Sequence, residues 1–351
     1  MVNETLADWS NIGFELALAG YVVALVCYGI EFAARRGAVP TEAEAASVSL
    51  RQGQRGGTAT LQGPIGHIGS APRRSAAPLG ARFGTAAVLV TVIGLAANIL
   101  SILFRGLATS RLPLANMYEF TSMICAAAVL CWVIVLVKTR ARTLGLFVML
   151  PVVILAGVAF SVLYTPAGPV VPALNSYWKW IHVSTISISS SILLVTGAAS
   201  VLYLIRGRYE RRLSAQETLV ASAGSGTVAA GEARSLAADT SLLSRLPSLA
   251  TLDRIAYRTA IVAFPLYTFA VIAGALWAEV AWGRYWGWDP KETCAFVTWV
   301  VYAAYLHARA TAGWRGRPAA WVSVVGFATI VFNLFFINMV VSGLHSYAGL
   351  N

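Results

Sequence analysis

Eight apolar runs alternate with polar segments along the chain, at roughly 11–33, 83–104, 117–137, 144–164, 177–205, 259–279, 291–312 and 319–343. A helix crosses a hydrocarbon core about 30 Å thick with about 20 such residues, so each run is close to or beyond that length. None of the runs alternates with a period of two, which predicts helices and excludes a transmembrane barrel. The expected fold is all-α, a polytopic integral membrane helical bundle of about eight transmembrane spans. Two polar stretches, 37–82 and 206–258, are rich in Ala, Gly, Ser, Arg and Pro and lack sustained periodicity. They are predicted as cytoplasmic linkers, the first disordered and the second partly so. The expected divisions are then a first span within 1–36, spans two to five in 83–205, and a core of spans six to eight in 259–351.

Composition agrees with the pattern. The chain is 58% hydrophobic and only 12% charged, about half the charged fraction of an ordinary soluble domain. Its net charge of +11 would suit a nucleic-acid partner if it formed one face, but its placement points elsewhere. With the N-terminus outside, 21 of the 26 Lys and Arg fall on the inner side: seven in 35–82, three in 138–142, eight in 206–258 and three in 309–317. The outer side keeps Arg105, Arg111, Lys179, Arg284 and Lys291. That asymmetry is the positive-inside bias, with the two long loops counting for less, and no nucleic-acid partner is expected. The partner of such a surface is membrane lipid. Cys27, Cys125, Cys131 and Cys294 lie in or beside apolar runs without a Cys-x-x-Cys pair, and read as packing residues. No basic residue precedes Arg35 and the first apolar run is long enough to span, so no cleavable signal is expected.

Residues 276–292 stand apart from this background. Four of the eleven tryptophans, Trp277, Trp282, Trp286 and Trp288, fall within twelve residues, with Gly283 and Gly287 between them. Trp282, Trp286 and Trp288 are not spaced to share one helical stripe. A non-helical shelf of indole rings suits a large flat ligand better than ordinary core packing. The stretch ends in a helix start: Asp289 is a good N-cap, Pro290 fits the first helical position, and Glu292 stands where a capping-box acid belongs.

The other outer segments carry further candidates. Asn116 and Glu119 bring polar groups to the start of span three, where Glu119 serves either the helix dipole or a site. Trp178 and Trp180 alone would be an interfacial aromatic belt, but His182 follows them at the start of span five. The small polar residues of that span, Ser184 to Ser191, predict close helix packing and no catalytic serine. His345 follows the outer end of span eight, so two histidines share a membrane face with the tryptophan shelf. Imidazoles approaching opposite faces of a planar macrocycle make a haem iron six-coordinate. His307 lies 17 residues beyond Pro290, roughly 25 Å down the helix. There it is either an inner-interface residue beside Arg309 or a ligand near the inner leaflet. His67 lies in the first linker and carries little expectation of function.

The run Trp282-Gly-Arg-Tyr-Trp286-Gly-Trp288-Asp289-Pro-Lys-Glu292 resembles the "WWD" signature of haem-handling proteins. With Tyr305-Leu-His307-Ala-Arg309, Gly313-Trp314-Arg315 and Ser342-Gly-Leu-His345-Ser-Tyr, it resembles the CcsA/ResC family (also called CcsB) of System II cytochrome c biogenesis. The close match covers about 257–348, and a weaker one about 111–182. The resemblance implies that His182 and His345 ligate the iron of an external haem at a shelf of Trp282, Trp286, Trp288, Asp289 and Arg284. Arg284 is the candidate partner of a propionate. It further implies that His307 ligates an internal haem, whose second ligand belongs to a ResB-like membrane partner. The chain would then be a multi-pass protein of a bacterial plasma membrane with the tryptophan loop on the outer face. It would belong to a cytochrome c synthase (haem lyase), handling haem b as a substrate-like cofactor. Its other partners would be thiol-reducing proteins and apocytochromes with a Cys-x-x-Cys-His segment, and no catalytic residue beyond positioning groups is implied. A bis-histidine electron-transfer cytochrome and a haem exporter without synthase activity are the competing readings.

Overall fold

The computed structural model describes residues 2–34, 78–139, 141–169, 176–222, 242–338, 340–341 and 343–344. His345, His67, most of the first expected linker (35–77) and residues 223–241 of the second lie outside the described residues. The described chain forms eight helices: α1 (Glu4–Ala34), α2 (Pro78–Thr109), α3 (Met117–Thr139), α4 (Gly145–Ser161), α5 (Tyr177–Ser222), α6 (Leu249–Trp282), α7 (Pro290–Ala310) and α8 (Arg317–Phe332). A 3-10 turn precedes α4 and another precedes α6, and α8 runs into a π turn at Asn333–Ile337. No strand occurs among the described residues. Seven of the eight helices are long and apolar enough to cross a membrane. The other, α7, carries Lys291, Glu292, His307 and Arg309 within its 21 residues and packs between α6 and α8. The chain is a polytopic helical membrane protein.

The distribution of side chains is that of a bundle solvated by lipid. Leu89, Leu103, Val137, Ile154 and Ile272 are exposed, while Asn98, Ser101, Ser187, Ser191, Ser200 and Ser323 are buried. Without a hydrophobic force between helices, small residues and interhelical hydrogen bonds hold them together. Ser10 and Ser101 join α1 to α2 by reciprocal bonds of 2.9 and 2.6 Å to each other's carbonyls. Asn98 of α2 accepts from Ser122 of α3 at 2.9 Å, and Ser191 of α5 donates to the Ile124 carbonyl of α3 at 3.0 Å. Thr196 and Thr259 pair α5 with α6 at 2.8 Å, and Ser200 donates to Ser323 of α8 at 2.8 Å. Of the serines expected to pack span five, Ser187, Ser189 and Ser191 are buried, while Ser190 lines a cavity. All four cysteines are free and buried.

Two helices run well past the apolar segments from which they were predicted. At 1.5 Å per residue, α5 with its 46 residues is roughly 69 Å long, and α6 with 34 roughly 51 Å. Hydropathy marks where a helix meets lipid, not where it stops. Beyond 205 the chain continues with Arg, Glu, Leu and Gln, all good helix formers, and Arg206 pairs with Glu210 one turn on at 2.7 Å. The start of α6 is set by Ser248, whose side chain accepts from Thr251 N. Its end is set by Gly283, at φ 69°, in the left-handed region where glycine carries no Cβ penalty.

The helices alternate in direction, so every second connection meets at one end. There Asn3 N donates to the Ala108 carbonyl at 2.9 Å, tying the start of α1 to the end of α2. Glu119, in the first turn of α3, is 2% exposed. It accepts from Arg105 Nε at 3.1 Å, Arg111 Nη1 at 2.8 Å, Arg111 Nη2 at 3.0 Å and Ala115 N at 2.7 Å. Arg105 also donates to the Thr165 carbonyl, and Arg111 to that of Gly168. One buried carboxylate thus joins α2, α3 and the segment after α4. The same end carries the start of α5, the turn from α6 to α7 and the end of α8.

Candidate functional site

A cavity opens at this end, walled by α3, α5, α6, α7 and the π turn after α8. It contains about 1400 Å3 of atom-free space, open mouth included. Its lining is mostly apolar and aromatic, and its polar members include Asn116, Lys179, His182, Lys291, Glu292, Asn333 and Asn338.

His182 enters the cavity from the second turn of α5. Its Nδ1 lies 2.7 Å from the carbonyl oxygen of Ala270 on α6. A carbonyl can only accept, so Nδ1 carries a proton, and in the neutral ring the lone pair is then on Nε2. A backbone carbonyl in that position is the usual way of orienting an imidazole whose other nitrogen faces a metal. The ring is stacked at 24° and 6.0 Å on Trp277, which is 3% exposed. Space for it exists because residue 274 is glycine: a Cβ there would stand 2.7 Å from both Cε1 and Nδ1.

The aromatic wall continues from Trp277 to Trp282, whose rings meet at 5.1 Å and 54°. Trp282 and Trp286 line the cavity, whereas Trp288 is outside its lining and 66% exposed. Trp286 and Trp288 meet edge to face at 5.9 Å, and both lean on Phe296 of α7. Trp288 has φ 56°, which costs a bulky side chain about 1–3 kcal/mol and has to be imposed by its surroundings. The next residue supplies that constraint. Asp289 caps α7 by accepting from Lys291 N, and Glu292 returns a bond to Asp289 N at 3.2 Å and another to Gly287 N at 2.9 Å. The capping box expected from the sequence is present.

Asp289 does more than cap. Its Oδ1 accepts from Leu344 N at 2.8 Å, so the end of the tryptophan loop holds the segment after α8. His345 is outside the described residues, but its chain neighbour is tied to the loop. Arg284 does not line the cavity. Its guanidinium lies across Gly287, in the space a Cβ would take, with Nη1 3.9 Å from Glu292. His307 is exposed on α7, far from this end. Two residues on, Arg309 binds Asp253 of α6 through both nitrogens at 2.5 and 3.0 Å and lies 4.3 Å over the Tyr257 ring.

Several cavity groups escaped the sequence reading. Trp277, counted with the shelf, proves to be the ring under His182, 95 positions away. Asn333 and Asn338 both line the cavity, and their five-residue spacing matches the i→i+5 bonding of the π turn between them. Two asparagines inside an apolar run were the available signal. Lys179 and Lys291 had been counted only as outer charges.

The fold and site together define a multi-pass membrane protein with an aromatic, histidine-bearing cavity at one end of its bundle. Residues 114–345 match the family described as cytochrome C assembly protein. The cytochrome c biogenesis protein CcsA of Gloeobacter violaceus is 35% identical over 304 residues, 78% of this chain and 88% of that protein. The CcsA of Heterosigma akashiwo is 35% identical over 250 residues, covering 68% and 77%. That of Microcystis aeruginosa is 36% identical over 268 residues, covering 69% and 81%. The chain belongs to the CcsA family of cytochrome c assembly proteins. Its fold also resembles a solved structure of the cytochrome c haem lyase CcmF, with a TM-score of 0.56 and 16% identity. That match covers 94% of this chain and 46% of the other, and it speaks to the fold alone.

Proposed function

We propose that the cavity receives haem b as a substrate and positions it for thioether attachment to the Cys-x-x-Cys-His segment of an apocytochrome c. The observation that carries this reading is the placement of His182, held through its Nδ1 by Ala270 O in a cavity walled by indoles. In the attachment each thiol S–H adds across a vinyl C=C, sulfur to one carbon and hydrogen to the other, with no net redox change. No side-chain acid or base is needed if the geometry is held, so the protein's contribution is positioning. His182 and His345 would hold the iron, and one of them yields to the client's own histidine. Trp277, Trp282 and Trp286 would hold the ring by apolar contact, while Asp289 keeps the segment leading to His345 at the loop.

The same reading places the tryptophan loop on the outer face of a bacterial plasma membrane, as the charge bias favours. His307, exposed on α7, would take part in an internal haem site completed by a ResB-like partner. Thiol-reducing proteins would keep the client's cysteines reduced. The test is the haem spectrum of the chain purified from cells with and without His182→Gly. Loss of the wild-type spectrum and its return on adding free imidazole is the expected result. An unchanged spectrum in His182→Gly, or in the double variant His182→Ala with His345→Ala, refutes the proposal.

A further inference from the structure

Lys179 is 3% exposed, and its Nζ has no hydrogen-bond partner among the described residues. The face of Trp180 lies 4.1 Å from it. The nearby carboxylate cannot neutralise it, because Glu119 already serves Arg105 and Arg111. Around Glu119, two guanidinium groups and an ammonium therefore share one carboxylate. Lys291, on the first turn of α7, also lines the cavity. Its Nζ donates to Asn338 Oδ1 and stands 5.9 Å from the Phe120 ring. The Asp289 carboxylate acts on the Lys291 charge while accepting from Lys291 N and Leu344 N, and Glu292 accepts from Gly287 N and Asp289 N. A buried ammonium without a hydrogen-bond partner, as at Lys179, is costly unless something fills the site. Both lysines open on one mostly apolar cavity, so the missing group is an anion attached to a large apolar body.

Resting on the haem reading above, we propose that Lys179 and Lys291 receive the two carboxylate arms of the porphyrin. Those arms leave one edge of the macrocycle, and the vinyl groups occupy the opposite part of its rim. Anchoring the acidic edge at the lysines therefore turns the reactive vinyls away from them. Arg284 lies outside the lining, with its guanidinium over Gly287.

The test compares iron protoporphyrin IX with its dimethyl ester, which keeps the ring, the iron and the vinyls but lacks both negative charges. Each is titrated into the full chain in lipid nanodiscs, with affinity read from the Soret band. Wild type should prefer the free acid, and Lys179→Met or Lys291→Met should each weaken free-acid binding by about tenfold, the worth of one charge-assisted hydrogen bond. Binding of the ester should be unchanged in both variants, which also shows that they are folded, and Lys179→Arg should retain the preference. Equal binding of the two porphyrins by wild type, or equal weakening of both in the lysine variants, overturns the inference and leaves the haem reading standing. A wild-type chain that takes up neither porphyrin overturns both.

Discussion

Gly274→Ala separates helix stability from site geometry because its two effects have opposite signs. In the middle of α6 the exchange removes backbone freedom from the unfolded chain and should favour the helix by about 0.5–1 kcal/mol. The new Cβ would stand 2.7 Å from Cε1 and Nδ1 of His182. The imidazole has little room to yield, since Ala270 O holds Nδ1 at 2.7 Å and Trp277 covers its face. Forcing a methyl group into such a contact costs about 1–3 kcal/mol, and the ring gives up its bond to Ala270, worth about 1 kcal/mol. The side chain should therefore rotate away and leave α6 intact. The expected outcome is a thermal midpoint in detergent within a few degrees of wild type, with haem affinity reduced by about 10–100-fold, or roughly 1.4–2.8 kcal/mol. Wild-type affinity and an unchanged Soret band would refute the assignment of Gly274 as the residue that makes room for the ligand. A collapse in thermal stability would refute the claim that the damage is local.

Two further outcomes follow from bonds at the same end of the bundle. Asp289→Ala removes the cap of α7 and the tie to Leu344 N, so it should cost about 0.5–2 kcal/mol in unfolding free energy and make the segment after 338 more accessible to protease. Asp289→Asn, which keeps an acceptor, should show less of both. Glu119→Gln leaves Arg105 and Arg111 buried with a neutral partner, and breaking such a pair costs about 3–5 kcal/mol. The measurement is denaturant or thermal unfolding in detergent, and a change below 1 kcal/mol would show that the cluster is solvated.

Individual residues show how far the sequence could be read. The capping box of Asp289 and Glu292 was legible because its bonds connect positions three apart and depend on local geometry alone. Glu119 stood open between helix dipole and site until its partners came into view. Two of them, Arg105 and Arg111, approach from α2 and the loop after it, and no local rule pairs them with the carboxylate. The ends of α5 and α6 were missed for a different reason. The segments 206–222 and 249–258 are polar, and a lipid-transfer pattern reports solvent rather than backbone conformation. Trp288 was read as part of one shelf with Trp282 and Trp286. Its left-handed backbone turns it outward while the other two line the cavity, a separation that identical side chains in one short stretch cannot signal.

By itself the sequence determined that this chain spans a membrane several times, which loops share a side, and that one loop carries aromatic rings beside a helix start. Those properties depend on the solvent each residue prefers and on bonds spanning a few positions, so they are written locally. The tertiary structure alone decided that His182 is aimed by a carbonyl 88 positions away, that Gly274 gives it room, and that two lysines on different helices open into one cavity. Each of these requires helices distant in sequence to pack at a definite depth and rotation, and that is a property of the whole bundle.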